Sequence, residues 1–405
     1  MNGFDIYSEQ KIDMLSAEMK KLVANAYRAK CFAATGCMRE GGFGDFGKVP
    51  QADMERISIY RGGEGFGTYD HAPALIKFRN QYILAWNSGE GNEDAPGQSV
   101  LIAKSSDGKI WSRPQVILQG NKAERQYYML AGFYVYNDTL YMMVMEKFAA
   151  APDSGFTMTA NDTAKGRNYN NLWKSSNGET FQLVKRNFTD MLFVIQPPAL
   201  TPEGRLLLSA CNFSGRPVVL LWPGADPEAT PEVIDLPWPV NERKFYEGHD
   251  LGIYCYGENC FYALDDGTLV MILRNENGSS QLGIAISNDG GESWSTIMQS
   301  NFPDSASRLA TGRLSDGRYF IVGNSTRFYM DRNFFAISLS NDGKKFTKMY
   351  QLIAEAAHQR FGGELKCHGY QYPAVLTDGS KLLIAYSVNK EDIECGILDI
   401  ESLQM

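Results

Sequence analysis

Short apolar runs alternate with polar turns along most of the chain, and this pattern occurs six times. In each copy two β-rich runs are joined by Asn, Asp or Gly, as in ALIKFRNQYILAW at 74–86 and AVLTDGSKLLIAY at 374–386. Two such runs around a short polar turn are typical of a β-hairpin. The remaining hairpins are predicted at 133–145, 199–210, 262–274 and 313–324.

The spacing of these hairpins predicts the architecture. Their turns lie 50 to 66 residues apart, at Asn80, Asp138, Gly204, Gly267, Gly317 and Gly379. This period is too long for a solenoid, and it suits four-stranded β-propeller blades with long loops. We therefore predict an all-β fold, a six-bladed propeller over 51–405, with seven blades as the alternative count.

The first 50 residues have a different pattern and are predicted as a separate N-terminal segment. Between Ser8 and Ala29, apolar residues recur at near-helical spacing, which predicts one amphipathic α-helix. Its apolar face would pack on the propeller or on a second subunit, which would make a homo-oligomer. A membrane-surface helix is the alternative, although its polar face mixes acidic and basic residues rather than being basic. The Gly-rich stretch at 41–47 is predicted as a loop without a phosphate-binding motif.

A second repeat is interleaved with the hairpins. The run Ser287-Asn288-Asp289-Gly290-Gly291-Glu292-Ser293-Trp294 has shorter copies at 340–346, at 105–111 and, with Asn in place of Asp, at 175–181. The Ser and Asp side chains of such a turn bond nearby backbone amides, and Gly takes a positive φ. The final Trp or Phe would fill the space between adjacent strands. These residues are therefore predicted to be structural.

Composition and charge exclude several classes of protein. The chain has 405 residues, 44% hydrophobic, and a net charge of −8, which is the wrong sign for a nucleic-acid-binding protein. Its seven cysteines include no C-x-x-C pair, so neither a disulfide scaffold nor a zinc site is expected. We expect the cysteines to be buried, reduced thiols. No metal or cofactor is predicted, although Ca²⁺ bound by a loop stays open.

The sequence also bears on location. Residues 1–28 lack the apolar core of a signal peptide, and no apolar run is long enough to span a bilayer. We expect a protein without a membrane partner that is cytoplasmic, or exported with its signal absent from this sequence.

The Ser-x-Asp-x-Gly-x-x-Trp/Phe turns resemble the Asp boxes of the sialidase superfamily, which mark the outer hairpins of its β-propeller blades. The resemblance covers about residues 56–400. It implies a tyrosine nucleophile assisted by a glutamate, an aspartate acid/base, and three arginines that bind the carboxylate of the sugar. A planar guanidinium suits this last task because it meets a carboxylate with two parallel hydrogen bonds.

The resemblance assigns residues one at a time. Glu258 precedes the fourth hairpin and is followed 16 residues later by Arg274, as the sialidase glutamate is followed by an arginine. Tyr372 opens the last hairpin and resembles the nucleophile. Arg332 opens a strand that runs into an Asp box and is similar to the third arginine.

The first hairpin departs from the family pattern. Sialidases begin it with Tyr-Arg-Ile-Pro-x-Leu, whereas residues 69–75 read YDHAPAL, so the first arginine is missing and His71 lies in its place. Glu93 or Asp94 falls just before the first Asp box, where the sialidase acid/base carboxylate lies. Asp94 is assigned as the catalytic carboxylate and Glu93 as a substrate contact.

This departure resembles another branch of Asp-box propellers, enzymes that act on rhamnosyl-glucuronate linkages by hydrolysis or by β-elimination. The resemblance is clearest at 69–111 and 368–393. It makes His71 the catalytic acid or base, a role that suits an imidazole near neutral pH. Arg125 and Tyr127 become candidate substrate contacts.

Two further histidines, His249 and His368, lie just before the fourth and sixth hairpins and are candidate substrate contacts in the same funnel. The resulting hypothesis is an exo-acting glycoside hydrolase that releases a terminal sugar from an acidic, uronate-type glycan. The alternatives are a lyase that cleaves next to a uronate by β-elimination, a sialidase, and a non-catalytic glycan-binding propeller. The expected partner is an oligosaccharide or glycoconjugate.

Overall fold

The computed structural model describes residues 49–63, 65–149, 167–189, 192–212, 216–237, 258–275, 279–326, 328–353 and 355–405. Within these ranges the strands form six sheets, five of four strands and one of five. The six sheets are the blades of a β-propeller, and the alternative count of seven is wrong.

Blades 1 to 3 follow one another along the chain. They contain β2 (Tyr69–Phe78), β3 (Gln81–Gly89), β4 (Ser99–Ser105) and β5 (Gln115–Leu118); β6 (Gln126–Tyr136), β7 (Thr139–Phe148), β8 (Arg167–Ser175) and β9 (Gln182–Lys185); and β10 (Leu192–Phe193), β11 (Ala199–Leu200), β12 (Leu206–Asn212), β13 (Pro217–Leu221) and β14 (Glu232–Asp235). In blade 3 the innermost strand is split, since β10 and β11 both pair with β12.

Blades 4 to 6 close the ring. They contain β15 (Cys260–Ala263), β16 (Leu269–Leu273), β17 (Gln281–Ser287) and β18 (Met298–Pro303); β19 (Ala310–Arg313), β20 (Tyr319–Gly323), β21 (Phe335–Ser340) and β22 (Lys348–Ile353); and β23 (Tyr370–Asp378), β24 (Lys381–Val388) and β25 (Asp392–Asp399), with β1 (Met54–Tyr60) outermost. Because β1 pairs with β25, blade 6 joins both ends of the propeller domain. All six predicted hairpins join the first two strands of a blade.

Burial differs between strands because each blade packs against two neighbours. The second strands are apolar on both faces, and β16 and β20 are buried throughout. The outermost strands, such as β5 and β9, are largely exposed. One core cluster joins Ile83 and Ile102 of blade 1 to Leu130 and Met142 of blade 2. The hydrophobic core therefore lies between the blades.

The Asp boxes are confirmed as self-contained turns. Ser105 accepts a hydrogen bond from the Gly108 amide at 2.9 Å, and the Asp107 carboxylate accepts the amides of Lys109 and Ile110, each at 2.8 Å. The Trp111 indole donates back to the Gly108 carbonyl at 2.8 Å. All four copies join the third and fourth strands of a blade, at the end where the first two strands are joined by their turn.

The innermost strands surround a central channel. A cavity of about 130 Å³ on the axis is lined by residues from all six blades: Ala74, Phe133, Ala199, Phe261, Ala310 and Ala374. We call the end of the propeller where these strands begin the funnel end. It is opposite the Asp boxes, so strand-start residues of different blades meet there.

The helical part of the predicted fold class is wrong. The described residues contain no α-helix, only a 3₁₀ turn at Ile400–Ser402, and the segment 8–29 lies outside them. The fold class is an all-β propeller. Within the described residues the regular structure consists of strands, because each blade buries its inner strands against both neighbours.

Candidate active site

Two innermost strands carry the same distortion at the funnel end. The pairing of β2 with β3 shifts between His71 and Ala74, and that of β23 with β24 shifts between Gln371 and Ala374. Each bulge contains a residue with positive φ followed by proline, Ala72 at 51° in blade 1 and Tyr372 at 56° in blade 6. A bulge re-aims a side chain, and proline is tolerated there because it has no amide to pair.

Tyr372 is the centre of a buried cluster. Its hydroxyl donates a hydrogen bond to Oε1 of Glu258, and Oε2 of Glu258 accepts from the Arg274 guanidinium. Arg274 Nη1 also lies 2.9 Å from the Tyr372 hydroxyl. Glu258 precedes β15 and Arg274 follows β16, so the cluster joins blades 4 and 6 across residues more than 90 positions apart.

The electrostatics of the pair keep the proton on the tyrosine. Burial and the Glu258 carboxylate raise the pKa of Tyr372 well above its ordinary value. Burial also raises the pKa of Glu258, but Arg274 and the Tyr372 hydroxyl outweigh it, so this pKa is lower than usual. The resting cluster is therefore a phenol bonded to a carboxylate, the arrangement that lets a carboxylate take the proton from a nucleophile.

His71 packs against the face of Tyr372. The two ring centroids are 4.1 Å apart, and His71 Nδ1 lies 2.6 Å from the Ser387 hydroxyl. That hydroxyl donates to the Gln371 carbonyl at 3.4 Å, so it accepts from Nδ1, which leaves the lone pair on Nε2. Nε2 is buried and has no hydrogen-bond partner among the described residues.

The pKa of His71 is well below its ordinary value. Burial is the main cause, and the positive charges of Lys390 and Arg332 add to it. The imidazole is therefore neutral at physiological pH, and Nε2 is a proton acceptor.

A buried ion pair lies beside His71 on the blade 1 side of the funnel. Lys390 pairs with Oε2 of Glu93, and Tyr69 donates to Oε1 of Glu93 at 3.3 Å. The same Oε1 lies 3.9 Å from His71 Nε2. Protein groups therefore contact both oxygens of Glu93, and its carboxylate holds the side chains on this side of the funnel in place.

Asp94 follows Glu93 in the same loop and is partly exposed. Burial, with the neighbouring Glu93 charge, raises the pKa of Asp94 to about 6, while Lys147 opposes the rise. A carboxyl group that titrates near neutral pH can both give and take a proton.

Three guanidiniums approach Tyr372. Besides Arg274, the Cζ atoms of Arg332 and Arg308 lie 5.5 Å and 5.7 Å from the centroid of its ring. Arg332 also bonds the Gln371 side chain. Among the residues that the structure describes, no carboxylate lies within ion-pair distance of Arg332 or Arg308. Buried cations of this kind favour an anionic ligand.

Tyr127 lies in blade 2 together with a lysine that sequence reasoning missed. The ammonium of Lys147 lies 5.4 Å from the Tyr127 ring and 4.6 Å from the ring of Phe193. Burial lowers the pKa of Lys147 to about 8, although Asp94 acts in the opposite direction. Tyr127 therefore helps to hold a cation near Asp94.

The other predicted contacts are not part of this cluster. Arg125 is half-buried and donates to the Ala149 carbonyl at 3.2 Å, and His368 is exposed. His249 lies outside the described residues.

Arg308, Lys390 and Lys147 were not predicted. One signal could have identified Arg308: it lies two residues before β19, as Glu258 lies two residues before β15. Equivalent strand-start positions of neighbouring blades point into the same funnel. Lys390 and Lys147 lie at or beyond the ends of second strands and carry no comparable signal.

Some other features can be stated for the described residues alone. They contain no group of three or more His, Cys, Asp or Glu side chains that could hold a metal ion. Cys260, Cys367 and Cys395 are free thiols. No helix among them has the length and apolar character required to cross a membrane.

Comparison with known proteins gives the family and the fold. The BNR repeat-like domain family matches residues 80–384, more than half of the chain. No curated protein matches the chain in sequence.

Solved structures share the architecture. The intramolecular trans-sialidase from Ruminococcus gnavus is 14% identical with a TM-score of 0.61, and the match covers 86% of this chain and 98% of that one. A protein of unknown function from Dyadobacter fermentans is 18% identical, with a TM-score of 0.58 and coverages of 85% and 98%. A protein described as a sialidase is 19% identical with a TM-score of 0.56, and here the match covers 87% of this chain but only 33% of that one. At these identities the likeness establishes a sialidase-like propeller fold.

Proposed function

Since the chain belongs to the BNR repeat-like domain family, we propose that it is an exo-acting glycoside hydrolase which releases a terminal sugar from an acidic, uronate-type glycan. The observation that carries this proposal is the contact of the Tyr372 hydroxyl with Glu258 and Arg274, next to the guanidinium of Arg332, which has no carboxylate partner among the described residues. In this proposal Tyr372 is the nucleophile, Glu258 is its base, and Arg332 beside them binds a carboxylate.

The first half of the reaction forms a bond between the Tyr372 oxygen and the anomeric carbon. The phenol proton moves to Glu258, and the glycosidic C–O bond breaks as Asp94 gives its proton to the leaving oxygen. Both proton transfers agree with the resting charges, because Glu258 is ionised and Asp94 titrates at a pKa of about 6.

Water completes the cycle. Asp94, now a carboxylate, takes a proton from the water that attacks the anomeric carbon. The bond to Tyr372 breaks, and Glu258 returns the proton to the phenolate. Two displacements at one carbon give net retention of configuration.

The acidic group of the sugar is assigned to two arginines. Arg274 contacts the Tyr372 hydroxyl and Arg332 lies against its ring, and a carboxylate would compensate the buried charge of Arg332. On the blade 1 side of the funnel, His71 is neutral and Lys390 of blade 6 is paired with Glu93, so neither of them offers a free cation. This two-arginine grip supports a uronate over sialic acid, and a rhamnosyl-glucuronate linkage is the first to test.

A second candidate, β-elimination, is favoured by one observation. His71 Nε2 is a buried lone pair next to Tyr372. It could take the C5 proton of a uronate whose carboxylate is bound by arginine; the C4–O bond would break, and the leaving oxygen would receive a proton from Asp94. The product would contain a C4–C5 double bond.

Digestion of a glycan panel with mass spectrometry of the products tests these proposals. The panel contains uronate-capped, sialylated and neutral oligosaccharides. Hydrolysis gives fragments whose summed mass exceeds the substrate by one water, whereas elimination gives fragments that sum to the substrate and absorb in the ultraviolet. Release of a uronate-linked terminal sugar with added water is expected. Sialic acid release would make the protein a sialidase, and binding without any product would make it a glycan-binding propeller.

A further inference from the structure

One buried cation of the cluster has no task in the proposed reaction. Arg274 and Arg332 receive the acidic group, and Lys390 is paired with Glu93. Arg308 is only 2% exposed and lies two residues before β19, on the axis of the propeller.

The contacts of Arg308 reach across the channel. Nη1 donates to the Ile195 carbonyl of blade 3 at 3.3 Å, and Nη2 donates to the Pro73 carbonyl of blade 1 at 3.4 Å. Its Cζ lies 5.7 Å from the ring centroid of Tyr372 in blade 6. A residue of blade 5 therefore spans three other blades.

Arg308 lies on the channel side of Tyr372. It lines the axial cavity together with Ala310 and Ala374, which follow the strand starts toward the Asp-box end. Tyr372 does not line this cavity, and its hydroxyl contacts Glu258 and Arg274 instead. Arg308 therefore contacts the ring of the nucleophile, whereas Glu258 and Arg274 contact its hydroxyl.

The charge of Arg308 is not compensated locally. Its two hydrogen bonds are long and go to neutral carbonyls, and Nε has no partner among the described residues. Glu258, the carboxylate whose charge acts on Arg308, already pairs with Arg274. A buried guanidinium without a carboxylate is unfavourable in the resting protein, and its environment improves when the proton transfer moves the negative charge from Glu258 to the Tyr372 oxygen.

We propose that Arg308 is a positioning residue that stabilises the negative charge on Tyr372 when its proton moves to Glu258. This inference rests on the proposed function for its place in the reaction. Preorganised cations aimed at a developing charge are a common source of rate enhancement. Arg308 acts through the tyrosine and does not contact the substrate.

The experiment compares Arg308→Met, Arg308→Lys and a matched control, Arg318→Met. Arg318 also joins two blades through carbonyls, those of Leu403 at 2.6 Å and Ile400 at 3.1 Å, but at the Asp-box end. Arg308→Met removes an uncompensated charge and should not lower the melting temperature, whereas Arg318→Met also loses an ion pair with Asp316 and should lower it. Arg308→Met should lower kcat by about 10²-fold with little change in KM, whereas Arg318→Met should leave kcat unchanged. The kcat of Arg308→Lys should lie between those of Arg308→Met and the unmodified protein.

A second measurement needs no substrate. 3-Fluorotyrosine at position 372 reports ionisation of this one phenol by ¹⁹F NMR. Its titration midpoint should rise in Arg308→Met, stay unchanged in Arg318→Met, and lie between the two in Arg308→Lys.

An unchanged midpoint in Arg308→Met, or a kcat that falls only in proportion to folded protein, would overturn the proposal and leave the hydrolase standing. A shifted midpoint in a protein that cleaves no glycan would overturn the proposed function instead. If Arg308→Met does not fold, Arg308→Gln takes its place, because it also removes the charge, and an unshifted midpoint there overturns the proposal.

Discussion

The two ends of the propeller treat buried polar groups in opposite ways. At the Asp-box end, Ser105 and Asp107 use their oxygens to bond amides of their own turn. At the funnel end, His71, Arg308 and Arg332 each have a buried nitrogen without a hydrogen-bond partner among the described residues. No Asp-box residue has such an atom. The Asp-box end satisfies its polar groups locally, whereas the funnel end keeps polar groups and charges that a ligand, or a charge formed during the reaction, would satisfy.

This contrast separates stability from function. Groups satisfied within a turn contribute to folding and have nothing to offer a substrate. Uncompensated groups weaken the resting protein and are retained where binding or catalysis uses them. Substitutions at the Asp-box end should therefore change stability, and substitutions in the funnel cluster should change turnover.

The largest effect is expected for Tyr372→Phe, which removes the hydroxyl that contacts Glu258 and Arg274. We expect loss of roughly 10³-fold in kcat with a nearly unchanged melting temperature, because a nucleophile cannot be replaced by its neighbours. Glycan turnover and thermal unfolding check this. Tyr134→Phe is the matched control, since its hydroxyl bonds the Ala225 carbonyl outside the cluster. Equal activity in both variants would contradict the contrast.

Asp94→Asn should lower kcat by roughly 10²-fold, because it removes the group that protonates the leaving oxygen. Protonated Asp94 starts the reaction, so kcat/KM should fall as the pH rises through about 6, the pKa of this carboxyl group. The variant should lose this limb of the pH profile. A nitrophenyl leaving group needs little protonation and should restore most of the rate. A variant that stays equally slow on both substrates would argue against the acid role.

Ser105→Ala tests the other end. It leaves the buried Gly108 amide without its acceptor, so the free energy of unfolding should fall by about 1–2 kcal/mol. Urea unfolding measures this, and glycan turnover by the folded protein should not change. Ser175→Ala removes the same bond, from Gly178, in the Asn-containing copy and should behave alike. Reduced turnover in either variant would mean that the Asp-box turns also affect the funnel cluster, which contradicts the contrast.

The smallest effect is expected in the pH dependence of stability. His71 stays neutral in the fold, so below about pH 6.5 only the unfolded chain gains a proton there. Its contribution to the free energy of unfolding is therefore complete above that value and declines as the pH falls. His71→Gln should flatten the dependence between about pH 5.5 and 7.5. Exposed His368→Gln is the control; identical slopes in both would refute a buried, neutral His71.

Much of the site could be predicted because its residues lie next to recognisable strands. Glu258, Arg274 and Tyr372 were placed by their order around hairpins, and the three side chains are in contact. Arg125 and His368 lie equally close to strand starts, yet Arg125 bonds the Ala149 carbonyl and His368 is exposed. Position beside a strand does not decide where a long side chain points.

The sequence alone determined the hairpins, the Asp-box turns and their number, because each is specified by residues only a few positions apart. Tertiary structure decided which charges meet. Arg308 donates to the carbonyls of Pro73 and Ile195, and Lys390 pairs with Glu93; the partners are more than 100 positions apart in the sequence. Only closure of the ring, completed by β1 against β25, brings these strand ends together. Burial then sets their charge states, since desolvation depends on every neighbouring blade.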